Sequence, residues 1–149
     1  MPGPIDGLAD VCGENMEFLA LDEMAFESFV AQYPPAQPVV MLNLLKFRDE
    51  ARYPQNSDYE PCSGAEAFAR YGEAVLPMIA RSGGRQIWQG QQAAMLIGPQ
   101  DKQWSLAVLV EYPSARAFLD MISSDEYQQI VVHRVAALED ARLIAHKPL

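Results

Sequence analysis

The sequence contains few of the residues from which metal and redox sites are built. Its 149 residues include two cysteines and two histidines. Cys12 and Cys62 are far apart and match no metal-ligand or redox spacing, so we expect two ordinary thiols and no zinc site. A nucleotide-binding glycine loop and a serine nucleophile elbow are also missing, and we therefore expect no cofactor.

Basic residues are absent from the first 45 positions. Lys46 is the first Lys or Arg, and seven of the 20 Asp and Glu precede it, so the N-terminal segment supplies most of the net charge of −9. An acidic chain is a poor partner for nucleic acid or anionic membranes, and we expect neither. The start of the sequence has no basic region followed by an apolar stretch, as a signal peptide would. We expect a cytoplasmic protein from a bacterium.

Long hydrophobic runs are also missing, since none approaches the roughly 20 residues of a membrane-spanning helix. Hydrophobic residues nevertheless make up 50% of the chain and charged residues 21%, which is typical of a domain with a packed core. The proline-rich stretch 33–38 predicts an extended connector. It divides the chain into an acidic extension, residues 1–37, whose short helix begins after Asp22 and packs on the core, and a main domain, residues 38–149.

The hydrophobic periodicity predicts four strands and three helices in the main domain. A capping box at Ser63 and Glu66 predicts the start of one helix, Gly83 and Gly84 its end, and a second capping box at Ser123 and Glu126 the start of another. The predicted order is strand 39–47, loop 48–62, helix from 63, strand 85–98, strand 104–112, a short helix from 113, a helix to about 139, and strand 141–145. This is the β-α-β-β-α-β order of the α+β ferredoxin-like fold, an antiparallel sheet with helices on one face.

Two of the predicted strands are apolar on both faces. Helices cover only one face of such a sheet, so the other face of strands 39–47 and 104–112 needs another cover. A second copy of the chain provides it in a homodimer whose sheets pack face to face. The alternative cover is the N-terminal segment.

Four stretches resemble the domain-of-unknown-function 1330 family, within the dimeric α+β barrel superfamily. The resemblance spans about residues 38 to 146 and is most specific in the third and fourth stretches, which are E-Y-P-S and S-x-E-Y-x(6)-R. The stretches lie at 41–47, 71–90, 110–114 and 124–137. The resemblance implies the fold and a dimer, whereas the family's activity is largely unassigned. The wider superfamily includes cofactor-independent monooxygenases, haem-degrading enzymes, isomerases and small-molecule sensors, and fold alone does not choose among them.

Arg134 is the most informative charged residue. On a helical wheel it lies about 20° from Tyr127, near the centre of the apolar stripe, where a guanidinium needs an acceptor. One interpretation is a structural ion pair with Glu111. The other is a clamp for a substrate carboxylate or enolate in a pocket between helix and sheet.

Asn43 interrupts an apolar strand, and a buried amide must be hydrogen-bonded. It bonds either a backbone group or a ligand, and in the cofactor-independent monooxygenases of the resembled superfamily an asparagine on the first strand contacts substrate. Tyr71, Trp88 and Tyr127 are candidates to line the same cavity, or are plain core. His133, about 120° from Tyr127, is predicted to be an exposed or flanking residue rather than a general base.

Three functions remain open. The first is a cofactor-independent enzyme, of monooxygenase or isomerase type, that acts on a small organic molecule with loop 48–62 as a lid. The second is a binding module with the same pocket and no turnover. The third is a protein whose dimer and acidic arm are the functional surface. The ligand-binding candidates are Asn43, Tyr71, Trp88, Glu111, Tyr127 and Arg134, and no catalytic residue is assigned.

Overall fold

A computed structural model describes residues 21–149 of the chain. The first 20 residues, which include Cys12 and much of the acidic extension, lie outside the described residues. The elements are α1 (Glu23–Gln32), β1 (Val39–Phe47), α2 (Gly64–Arg81), β2 (Arg85–Gly90), β3 (Leu106–Tyr112), α3 (Ala115–Ile122), α4 (Asp125–Ala137) and β4 (Leu138–His146). The predicted β-α-β-β-α-β order after the connector is confirmed.

The strands form one antiparallel sheet in the order β2-β3-β1-β4. β1 is central, with Asn43 opposite Val108 of β3 on one side and Leu143 of β4 on the other. This sheet order, with helices inserted after β1 and β3, is that of the ferredoxin-like fold.

Local sequence signals position the helix ends. Ser63 and Glu66 form the predicted capping box, and Gly83 adopts a positive φ of 86° just beyond the end of α2. The cap of α4 differs from the prediction. Ser124, rather than Ser123, accepts the hydrogen bond from the backbone N–H three residues later, at Tyr127. Ser123 instead closes α3, because its own N–H still bonds back to Leu119.

The second strand is shorter than predicted, since β2 ends at Gly90 rather than Gly98. Side-chain hydrogen bonds replace the strand pairing beyond this point. The amide of Gln92 accepts from the backbone N–H of Trp104 and donates to the carbonyl of Lys102. The residues between β2 and β3 therefore form a closed loop. The boundary between α4 and β4 also differs from the prediction. α4 ends at Ala137 and β4 begins directly at Leu138, earlier than the predicted strand.

The core lies between one face of the sheet and helices α2 and α4. Alternate residues of β1 and β3 point into it, and Leu45 and Leu138 are among its most buried side chains. Phe26 and Phe29 of α1 pack against this core. The division of the chain at residue 37 stays a prediction, because part of the extension lies outside the described residues.

The opposite face of the sheet is only partly covered by residues 21–149. Its central residues are apolar and half-buried, while Trp88 and Ile144 nearer the edges are 54% and 43% exposed. The half-buried central residues are Val40, Leu42, Leu44 and Leu109. The two-sided apolar pattern of β1 thus corresponds to one face buried by helices and one face that is left open.

Candidate functional site

Two tyrosine hydroxyls meet between helices α2 and α4. The hydroxyl oxygens of Tyr71 and Tyr127 are 3.1 Å apart, and their rings contact edge to face. Burial raises the pKa of Tyr71 well above its ordinary value, with a further contribution from Tyr127. The pKa of Tyr112, which reaches this layer from β3, is also raised, mainly by burial. The phenols of Tyr71 and Tyr112 are therefore protonated at neutral pH and available as hydrogen-bond donors.

Arg134 places a positive charge near this tyrosine pair. It lies in the last turn of α4, on the same face of the helix as Tyr127 and Val131. Its side chain is half-buried, as its position on the helical wheel predicts. Its charge opposes the rise in the pKa of Tyr71. The guanidinium is therefore close enough to stabilise a negative charge in the same layer.

A structural ion pair with Glu111 was one interpretation of Arg134, but the two residues lie on opposite faces of the sheet. Glu111 lies opposite Arg85 of β2 and Val40 of β1, on the open face of the sheet, and its carboxylate is 3.6 Å from the guanidinium of Arg85. Helix α4 covers the other face. Because successive residues of a strand alternate between faces, the buried neighbour Tyr112 is the β3 residue that points toward α4.

Asn43 lies on the helix-covered face at the centre of β1. Its neighbours on that face, Met41 and Leu45, are 3% and 1% exposed, whereas Asn43 is only half-buried. Its cross-strand partner Leu143 is 39% exposed. Residues opposite each other in a sheet share a face, so the helical cover has a gap above the middle of the β1–β4 pair.

Trp88 belongs to the open face and not to this layer. It pairs with Leu109, and its indole ring lies over Gly90, where an added Cβ would come within 2.7 Å of the ring. Of the six predicted ligand-binding residues, the structure places four on the helix-covered side of the sheet and two, Trp88 and Glu111, on the opposite side.

A second polar cluster, which the sequence did not predict, is centred on His133. The Tyr53 hydroxyl lies 2.8 Å from Nδ1 of His133 and accepts a hydrogen bond of 3.1 Å from Arg70. Tyr59 stacks on Tyr53 and meets the imidazole edge to face. His133 is therefore half-buried, which is compatible with its prediction as a flanking residue, but its place in a cluster was not predicted. Its partner is 80 positions away in the sequence, so no local spacing could have revealed it.

This cluster holds loop 48–62, which was predicted to act as a lid, against the helices. Arg70 also donates to the carbonyl of Glu60, and the backbone N–H of Ala51 bonds to the carbonyl of Cys62 across the loop. The N–H of Arg52 bonds to the carbonyl of Ala136 at the end of α4. The loop is thus attached to both α2 and α4 at several points.

Two surface pockets lie at the end of the sheet where β1 meets β4, and neither includes Asn43 or Arg134 among its lining residues. In the smaller one, of about 110 Å³, Lys102 and Arg142 bind the carboxylate of Asp140 at 3.0 and 2.6 Å. Burial would raise the pKa of Asp140, but these hydrogen bonds outweigh it and lower the pKa. The carboxylate of Asp140 is therefore satisfied within the protein.

Within residues 21–149, no three His, Cys, Asp or Glu side chains come together as a set that could hold a metal ion. No helix in that part of the chain is long and apolar enough to cross a membrane.

The strand order and the placement of the helices define the chain as a ferredoxin-like α+β protein. Residues 61–147 match the family model of the domain of unknown function DUF1330. The chain belongs to this family, as the sequence motifs predicted.

A solved structure of a protein of unknown function from Rhodopseudomonas palustris is similar throughout. It is 43% identical, with a TM-score of 0.81, over 89% of this chain and 97% of its own. A protein from Arabidopsis thaliana is 13% identical, with a TM-score of 0.50, over 74% of this chain and 95% of its own. At that identity the likeness indicates the fold alone. No protein of curated function matches the sequence significantly.

Proposed function

We propose that this protein is a homodimer that binds a small organic molecule with a carbonyl or anionic group between the sheet and helices α2 and α4. The observation that carries the proposal is the half-exposed Asn43, set between two fully buried residues on the helix-covered side of a central strand. An amide in such a gap offers a donor and an acceptor to a ligand. Apolar walls with a few polar groups are the usual composition of small-molecule sites.

The other polar groups of this layer suit the same class of ligand. The raised pKa of Tyr71 keeps its hydroxyl protonated, so it donates to a carbonyl or enolate oxygen. The charge of Arg134 in the same layer favours the anionic form. In a catalytic version of this proposal, a cofactor-independent enzyme of monooxygenase or isomerase type, these donors would stabilise an enolate-like intermediate.

The open face of the sheet favours a second function, that of a dimeric interaction module without turnover. Its half-buried apolar centre and exposed Trp88 are a surface that a second copy would cover. The homodimer is common to both functions. They differ in whether the layer around Asn43 holds a ligand.

A thermal-shift screen with small carboxylic acids, ketones and phenols tests ligand binding. We expect a ligand of this class to raise the melting temperature of the wild type and to do so less for Tyr71→Phe, which loses only the donor hydroxyl. The loss in affinity should be about tenfold, the value of one hydrogen bond of about 1.4 kcal/mol. Tyr59→Phe, a half-exposed tyrosine outside the layer, is the matched control and should behave like the wild type. Equal shifts for wild type and Tyr71→Phe would count against this site.

A further inference from the structure

Two arginines share the larger pocket at the end of the sheet. Arg48 and Arg52 line an open pocket of about 490 Å³ together with Glu139 and the residues between the two arginines. Among the described residues, neither guanidinium forms an ion pair with a carboxylate. The two like charges repel each other, and the Glu139 carboxylate offsets this repulsion only in part, so the arrangement favours an additional negative charge.

One of these guanidinium groups has a buried donor with no acceptor. The Nε atom of Arg48 is removed from solvent and has no hydrogen-bond partner. Burial lowers the pKa of Arg48, and the charge of Arg52 lowers it further, while Glu139 acts in the opposite direction. Buried donors in proteins are nearly always hydrogen-bonded, and an orphaned one needs an explanation.

The backbone holds both arginines in a fixed frame. The N–H groups of Arg48 and Arg52 each donate a 2.8 Å bond, to the carbonyls of Ala137 and Ala136. The carbonyl of Arg48 accepts from Gly64, where an added Cβ would lie only 2.1 Å from that oxygen. The pocket is thus built on tightly packed backbone, as a binding site requires.

The carboxylates around this pocket limit the size of its ligand. Asp49 and Glu50 are exposed at its rim, and the Glu139 carboxylate lies 3.8 Å from Lys46. They repel an extended polyanion, so the pocket suits only a compact anion. A planar guanidinium binds carboxylate and phosphate oxygens in the same bidentate geometry.

We propose that Arg48 and Arg52 form a binding site for a compact oxyanion, the carboxylate or phosphate group of a small molecule. This site is separate from the layer around Asn43 and does not depend on the function proposed for that layer.

Nitrogen-15 NMR of arginine side chains tests the proposal directly. Inorganic phosphate and sodium acetate are titrated separately into the full-length protein at constant ionic strength, and Arg48→Lys identifies the Nε–H signal of Arg48. We expect that signal to shift and saturate with at least one anion. Saturation by phosphate, by acetate or by both identifies the group that the site prefers. A signal that does not move, or that moves without saturating, overturns the proposal.

A pair of variants separates this site from general attraction of anions. Arg52 is exposed, so Arg52→Gln should fold normally and lower the affinity about tenfold, since one charged hydrogen-bond donor is lost. Arg116→Gln removes an equally exposed arginine on α3 and should leave the affinity unchanged. Equal affinity in wild type and Arg52→Gln would overturn the assignment.

Discussion

At the scale of single residues, burial and a neighbouring positive charge favour the neutral form of His133. Its Nδ1 lies 2.8 Å from the Tyr53 hydroxyl, which also accepts a hydrogen bond from Arg70. When the Tyr53 hydroxyl donates to Nδ1, the imidazole is neutral and carries its hydrogen on Nε2. Burial and then the charge of Arg70 lower the pKa of His133, in agreement with this state.

The lowered pKa of His133 predicts a loss of stability in weak acid. The unfolded chain takes up this proton at the ordinary pKa of about 6.5, before the folded chain does. The stabilising contribution is therefore complete above that pH and is lost as the pH falls through it toward the lower pKa of the folded state. We expect the urea midpoint of the wild type to fall between pH 7.5 and 5 more steeply than that of His133→Gln. Parallel pH profiles for the two proteins would contradict this role.

The sequence predicted the position of a residue where that position depends on a single helix or strand. The helical wheel was sufficient to direct Arg134 and Tyr127 into the same layer, because both lie on α4. Glu111 does not share this layer, because residues alternate along β3 and its neighbour Tyr112 occupies the helix-covered face. The contact between Tyr53 and His133 depends on how a loop folds back over two helices, and the sequence contains no periodic signal for that.

At the scale of elements, two glycines of the α2 region have opposite roles. Gly83 ends the helix with a positive φ, and an added Cβ there would lie 3.1 Å from Pro113. Gly72 lies inside α2, where an added Cβ would meet no atom within 4 Å. Glycine in a helix interior is less favourable than alanine, whereas alanine at a positive φ is strained.

These positions predict alanine substitutions of opposite sign. Gly83→Ala should lower the free energy of unfolding by about 1 kcal/mol, and Gly72→Ala should raise it by about 0.5 to 1 kcal/mol. Urea denaturation of the two variants beside the wild type measures both. A Gly83→Ala variant more stable than the wild type would show that the positive φ at the end of α2 does not require glycine.

The element boundaries were predictable to the extent that local capping sets them. Ser63, Glu66 and Gly83 specify both ends of α2 by contacts within a few residues. Two adjacent serines were ambiguous, because Ser123 closes α3 while Ser124 opens α4. The end of β2 was missed because it depends on Gln92 bonding to residues ten and more positions further along the chain.

At the scale of the whole molecule, the sheet is the boundary between two proposed surfaces. One face holds Asn43 and the polar layer under the helices, and the other presents an apolar surface for a second copy. Within a single chain, Leu42 lies at the centre of the open face, between Leu109 and Ile144. The dimer was predicted from the two-sided strands and from the family resemblance, and it requires that this face be exposed in a single chain.

A charge at the centre of the open face should separate the proposed dimer. Leu42→Asp places a carboxylate where two sheets would meet, and burying it without a partner costs several kcal/mol. We expect the wild type to sediment as a dimer and Leu42→Asp as a folded monomer. Leu76→Asp changes a 46% exposed leucine on α2 and should remain dimeric. A monomeric wild type, or a dimeric Leu42→Asp, would rule out this interface.

The most direct test of the proposed function is the affinity of Asn43→Leu for a ligand found in the screen, measured by isothermal titration calorimetry. Leucine has the same branched shape as asparagine, is somewhat larger and suits the apolar strand, so we expect the variant to be at least as stable as the wild type. It fills the gap and removes the amide, so the affinity should fall at least about tenfold, the equivalent of one lost hydrogen bond. A stable Asn43→Leu variant that binds as tightly as the wild type would contradict a ligand site at this position.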